Sequence, residues 1–232
     1  MATIHFNVEN ALTEVVNENV LVFLMPVAAS PNFQFAAWQS LNISPGGSEP
    51  FDYNVSIQVQ AMRQDNMSTT PKVNIHPGEL YDVVMSNLGG ISLQKDIPNA
   101  GSLTPDQCGV MNNTSVLIKT LWYVNGNPCV AMPELNQNST SIFELEPSIY
   151  FRAATPTQQG FNYTLQQVSA ETPYVIPATA TTVQVTWSRD SAGGADEFSF
   201  DPPSEQIPPQ TVRKAHAKEH AKEHAKAPAK VA

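Results

Sequence analysis

Positive charge is scarce over most of this chain. No Lys or Arg precedes Arg63, and 12 Lys and Arg stand against 21 Asp and Glu. Six of those 12 lie from Arg213 onward, with two Glu, for a net of +4. The 6 basic and 19 acidic residues before them give −13. A body this acidic repels nucleic acid and anionic membranes, which removes both as partners of residues 1–212. Only the tail can attract a polyanion.

Cysteine is also scarce. Cys108 and Cys129 cannot make a disulfide framework. They form either one bridge in an oxidising compartment or two buried thiols. A membrane-length apolar run is lacking as well. The most apolar stretch, VLVFLMPVAAS (Val20 to Ser30), is short and contains Pro26. Glu9, Glu14 and Glu18 precede it, where a secretory signal would carry basic residues. The expectation is a buried strand in a cytoplasmic protein, or one exported by a route without a recognisable signal, and no transmembrane segment.

Several chemical signatures are missing. There is no Gly-x-Ser-x-Gly elbow, no Cys-x-x-Cys, no His-x-His, and no phosphate loop or dinucleotide fingerprint. No cofactor is implied. NLGGIS (Asn87 to Ser92) has two glycines but neither the spacing nor a following helix for phosphate. DSAGGADE (Asp190 to Glu197) loosely echoes a calcium loop but fails the EF-hand pattern, and reads as a turn. Asn-x-Ser/Thr sequons, at Asn112 and Asn113 among others, carry no weight in a chain so rich in Asn, Ser and Thr.

What is present is strand pattern. In YNVSIQVQAM, Tyr53, Val55, Ile57, Val59 and Ala61 alternate with Asn54, Ser56, Gln58 and Gln60. That period of two marks a sheet with one wet face. TTVQVTWS repeats it, with Val183, Val185 and Trp187 inward. FNYTLQQVS and about ten other segments also read as strands. The 19 prolines exclude a helix bundle. Before the tail the one helical hint is NALTEVVN, with Asn10 as its cap. Asn125-Gly126 predicts a two-residue type I′ hairpin. In that register Val124 faces Asn127 and Trp122 faces Cys129, and Pro128 makes the returning arm an edge or irregular. The fold expected is all-β: a mainly antiparallel two-sheet β-sandwich over residues 1–200, a proline-rich linker over 201–212, and a flexible, partly helical basic tail over 213–232.

Candidate sites are few. HPGE (His76 to Glu79) reads as a turn, yet His76 with Glu79 or Asp82 could do acid–base work. His5 belongs to the first strand. Asn- and Gln-rich strand faces near Trp38 and Trp122 suit a neutral polar ligand such as a carbohydrate, although any hydrated sheet shows that composition. In the tail, His216, His220 and His224 recur every four residues, a stripe that could chelate a transition metal on a helix, against the repulsion of neighbouring lysines. The same segment could hold a polyanion, dock on an acidic body in a homo-oligomer or on an acidic protein partner, or be an idle solvated extension. Two functions follow. The leading one is a non-enzymatic binding or structural protein, self-associating, with a cationic tail that touches acidic surfaces. The alternative is a hydrolytic or metal-assisted enzyme assembled around His76.

Overall fold

The computed structural model describes residues 3–97, 100–155, 162–189 and 194–204. The expected tail and all but the first four residues of the linker lie outside them. Strand accounts for 54% and helix for 3%. In chain order the strands are β1 (Ile4–Asn10), β2 (Asn19–Pro26), β3 (Gln34–Phe35), β4 (Gln39–Leu41), β5 (Ser48–Tyr53) and β6 (Ile57–Arg63). Then come β7 (Val73–Asn74), β8 (Leu80–Met85), β9 (Ile91–Lys95), β10 (Cys108–Asn112), β11 (Ile118–Val124) and β12 (Asn127–Leu135). The last six are β13 (Thr140–Phe143), β14 (Leu145–Ala154), β15 (Tyr163–Thr164), β16 (Thr172–Val175), β17 (Thr182–Arg189) and β18 (Asp196–Asp201). Among the described residues a single α-helix, α1 (Leu165–Ser169), sits between β15 and β16.

The mainly antiparallel expectation holds, but the strands divide among four sheets. Their orders are β18-β17-β1-β5, β16-β14-β2-β4, β15-β3-β12-β11-β6-β7 and β13-β10-β8-β9. Two pairings are parallel, β1 with β17 and β8 with β10. The division arises where the chain changes sheet. The alternating run from Tyr53 to Met62 is not one strand. Tyr53 ends β5, paired to β1, and Ile57 begins β6, paired to β11. Residues 54–56 cross between sheets, tied by the Ser56 N–H to the Asn125 side-chain oxygen at 3.1 Å.

Aromatic side chains join the sheets. Phe6 on β1 meets Phe151 on β14 at 6.4 Å and Tyr174 on β16 at 6.0 Å. Phe200 on β18 stacks on Tyr174 at 4.5 Å. Trp122 on β11 stacks on Phe143 on β13 at 4.8 Å. Trp38 is the joint among three sheets. Its backbone N–H donates to Val22 of β2, its indole N–H donates to the Val124 carbonyl of β11, and its ring lies edge-on to Phe51 and Tyr53 of β5. Most buried apolar side chains accordingly form one continuous core that draws on all four sheets, and Leu121, Tyr123 and Ala131 make a small separate cluster on the other face of β11 and β12.

Val20 to Pro26 of the most apolar stretch lie in β2, buried, between β14 and β4, and Val27 to Ser30 follow as a partly exposed turn. Among the described residues no helix is long and apolar enough to cross a membrane. NALTEVVN is not helical. Asn10 ends β1, and its buried side chain accepts from the Leu12 N–H and donates to the Ile43 carbonyl, so it closes a turn instead of capping a helix. In FNYTLQQVS the expected strand lasts only two residues. Thr164 and Gln167 form a capping box that starts α1, the signature the alternation concealed.

The hairpin turn is as expected, with Asn125 at φ 53° and Gly126 at φ 82°. Val124 faces Asn127, but Trp122 faces Val130 and not Cys129. A register shift between Trp122 and Tyr123 absorbs Cys129, next to the proline that has no N–H for the ladder. Cys129 still reaches Trp122, donating its thiol to that carbonyl at 3.3 Å. Both cysteines are free and buried, and burial pushes the pKa of the Cys108 thiol up to about 12.

Candidate functional site

His76 lies in the turn between β7 and β8. Gly78 takes φ 84°, a left-handed conformation that suits glycine, and the Glu79 N–H closes on the His76 carbonyl at 3.0 Å. Glu79 braces this turn. Its Oε2 accepts from the His76 N–H at 3.0 Å and faces His76 Nδ1 at 3.4 Å, while its Oε1 holds Lys95 Nζ at 2.5 Å. Burial pushes the Glu79 carboxyl up, but the hydrogen bonds from Lys95 and His76 outweigh it and hold the group below the ordinary carboxylate range. The structure thus brings His76 and Glu79 together. The His76 ring itself is 76% exposed, and Glu79 is occupied by a lysine.

Asp82 does not join them. Three residues along an extended strand span about 10 Å and reverse the face. Asp82 sits in β8 between Gln94 of β9 and Met111 of β10. Burial, and then repulsion from Asp96, raise its carboxyl above the usual range, against a hydrogen bond from the Asn113 side chain. One of its oxygens, Oδ1, is buried without a hydrogen-bond partner. A carboxyl with a raised folded pKa begins to weaken the fold as pH climbs past the unfolded value near 4, and weakens it fully above the folded pKa. Asp82→Asn should therefore stabilise the fold at neutral pH, by less than about 1 kcal/mol because solvent screens this partly exposed group. The gain should vanish below about pH 4, as thermal melts across pH would show.

A pocket of about 420 Å³ opens beside His76. It is lined by Val55, Ser56, Ile57, Asn74, Ile75, His76 and Pro77. No carboxylate or cysteine is among these residues, and Ser56 and His76 share no hydrogen bond. Across the crossing segment lies a second pocket, of about 440 Å³, in which Val55 is shared. Its other walls include Ile4, Tyr53, Asn54, Pro147, Ile176 and Ala180. Sequence reasoning missed this pocket. It did place Tyr53 inward, the one signal available, but the cavity exists only because β5 and β6 diverge.

The other sequence candidates are structural where they are described. Trp38 and Trp122 are buried, at 2% and 0% exposure, so neither ring can stack on a sugar. His5 pairs with Asp52 at 2.7 Å on the surface. Asp196, from the calcium-like stretch, accepts from the Trp187 indole and the Arg189 guanidinium, each at 2.7 Å. Among the described residues no three His, Cys, Asp or Glu gather as metal ligands. His216, His220 and His224 lie outside the described residues. Comparison with protein-family models, with curated proteins and with solved structures finds no match to this chain.

Proposed function

We propose that this is a non-enzymatic binding or structural protein, built as sandwiched sheet pairs, that self-associates through its cationic end. One observation carries the reading: five of the six cations of the body are already in use. Arg63 pairs with Asp65, Lys95 with Glu79, Arg152 with Glu171, and Arg189 with Glu18 and Asp196. Lys72 lies 3.8 Å from the centre of the Tyr123 ring. Glu14, Asp106, Glu134 and Glu197 are exposed with no ion-pair partner among the described residues. The uncompensated acid surface matches the +4 segment that starts at Arg213.

Such an attraction is screened over about 8 Å at physiological ionic strength, so salt controls it. Sedimentation of the full chain should show oligomers at low salt that dissociate at high salt. A chain ending at Val212 should be monomeric at both. Lowering pH through about 6.5 charges His216, His220 and His224 and should strengthen association. An oligomer size indifferent to salt and truncation would sink the proposal.

The alternative, a hydrolytic or metal-assisted enzyme around His76, is favoured by the pocket beside that residue. Against it stand the exposure of the ring and the Lys95 pairing of Glu79. Stoichiometric metal on the purified protein, retained after removal of residues 213–232, would reverse the preference.

A further inference from the structure

The larger pocket has walls that point to a ligand. Ile4 comes from β1, Tyr53 to Val55 from the end of β5 and the crossing segment, Pro147 from β14, and residues 175–180 from the end of β16 and the loop beyond it. Its size falls within the range of small-molecule sites, about 300–1,000 Å³. No lining residue is charged, so neither an anion nor a cation would find a counter-ion there.

Three backbone donors of the β16 side of the wall are spent. The Val175 N–H goes to Ser204 Oγ, the Ile176 N–H to the Pro147 carbonyl and the Ala180 N–H to the Pro177 carbonyl. Two polar side chains are left. Asn54 is exposed at the rim. Only 5% of Tyr53 is exposed, and its ring is fixed edge-on to Phe6 and Trp38. Its hydroxyl has no hydrogen-bond partner among the described residues. A hydroxyl on a pocket wall without a protein partner takes one from water or from a ligand. Burial lifts the phenol pKa to about 12, so the group stays a neutral donor at any physiological pH.

We infer that this pocket binds a small neutral molecule with an apolar body and one hydrogen-bond acceptor, such as a ketone, ester or ether oxygen, which the Tyr53 hydroxyl holds. Val55, Ile176 and the rigid Pro147 and Pro177 surround the apolar part, and Asn54 offers a second polar group at the mouth. The inference deepens the binding reading above and rests on it, but it does not involve the tail.

The test uses the full chain and two neutral fluorescent probes. Nile red carries a carbonyl acceptor, and diphenylhexatriene is a pure hydrocarbon. Both should bind saturably at one site per chain. Tyr53→Phe should weaken Nile red about threefold to tenfold, the worth of one hydrogen bond, and leave diphenylhexatriene unchanged. Ala180→Trp should abolish both by filling the pocket, and Ala180→Leu, a smaller plug, should weaken both if the tryptophan variant does not fold. Absence of saturable binding to the full chain overturns the inference. So does binding indifferent to both plugs, or a Tyr53→Phe effect equal for the two probes. Binding that emerges only when residues 205–232 are removed also overturns it, because the chain's own end would then be the occupant. Salt-dependent sizing is independent of these results, so failure here is distinguishable from failure of the self-association reading.

Discussion

Trp38→Ala is expected to cost about 3–5 kcal/mol, the usual range for deleting a large buried aromatic. For a chain of this size that lowers the unfolding midpoint by roughly 10 °C. The loss comes from three sheets at once. The ring leaves Phe51 and Tyr53, whose centroids lie 5.7 and 5.9 Å away, and the Val124 carbonyl loses its 2.8 Å indole donor. Trp38→Phe keeps part of the ring contact and loses only the donor, so it should cost less than half as much. Both are read by thermal unfolding. Because the core is continuous, the variant should still unfold in one transition. A cost under about 1 kcal/mol would mean that the joint bears little of the fold's stability.

Asn112→Ala should cost about 3 kcal/mol for a different reason, the breakage of a buried polar network. Asn112 is fully buried at the end of β10. Its amide nitrogen donates to the Val116 and Leu135 carbonyls, both at 2.8 Å. Its oxygen accepts from the Thr114 N–H at 2.9 Å and the Thr114 hydroxyl at 2.6 Å. Alanine removes all four bonds and leaves the Val116 and Leu135 carbonyls and the Thr114 N–H and hydroxyl without that partner. Asn112→Asp restores the acceptor but loses both donors and buries a charge. Its defect should ease as pH falls and the carboxyl protonates, a recovery that Asn112→Ala cannot show. Denaturant unfolding of the two variants at neutral and acid pH separates the cases. The same burial explains why the sequon at Asn112 marks a structural amide.

The sequence made the strand content, the wet and dry faces and the Asn125-Gly126 turn legible, because each depends on neighbours in the chain. Val183, Val185 and Trp187 point inward as the alternation requires, all at 0% exposure. What was not legible depends on partners far away in the chain. Nothing local tells β1 to pair in parallel with β17, and nothing in the run from Tyr53 to Met62 shows that it changes sheets midway. Local signals also competed. Thr164 and Gln167 lie in a stretch whose alternation suggests strand, yet their reciprocal hydrogen bonds start a helix. Asn10 precedes a helix-like pattern, yet its side chain is drawn into the turn by Ile43. For the candidate site, the His76 turn was readable from Pro77 and Gly78. The capture of Glu79 by Lys95 was not, because it depends on the β8–β9 pairing.

Charge layout was the most informative feature of the sequence, and the structure adds that the body's own cations do little to offset its acids. The most direct measurement is zero-length carbodiimide cross-linking of the full chain, with the joined peptides identified by mass spectrometry. Mixing isotopically light and heavy chains distinguishes links between copies from links within one. Links should join the tail lysines, Lys214 to Lys230, to exposed body acids such as Glu14, Asp106, Glu134 and Glu197, between copies at low salt, and should be absent at high salt. Links confined to the body, or a pattern unchanged by salt, would contradict self-association through the tail.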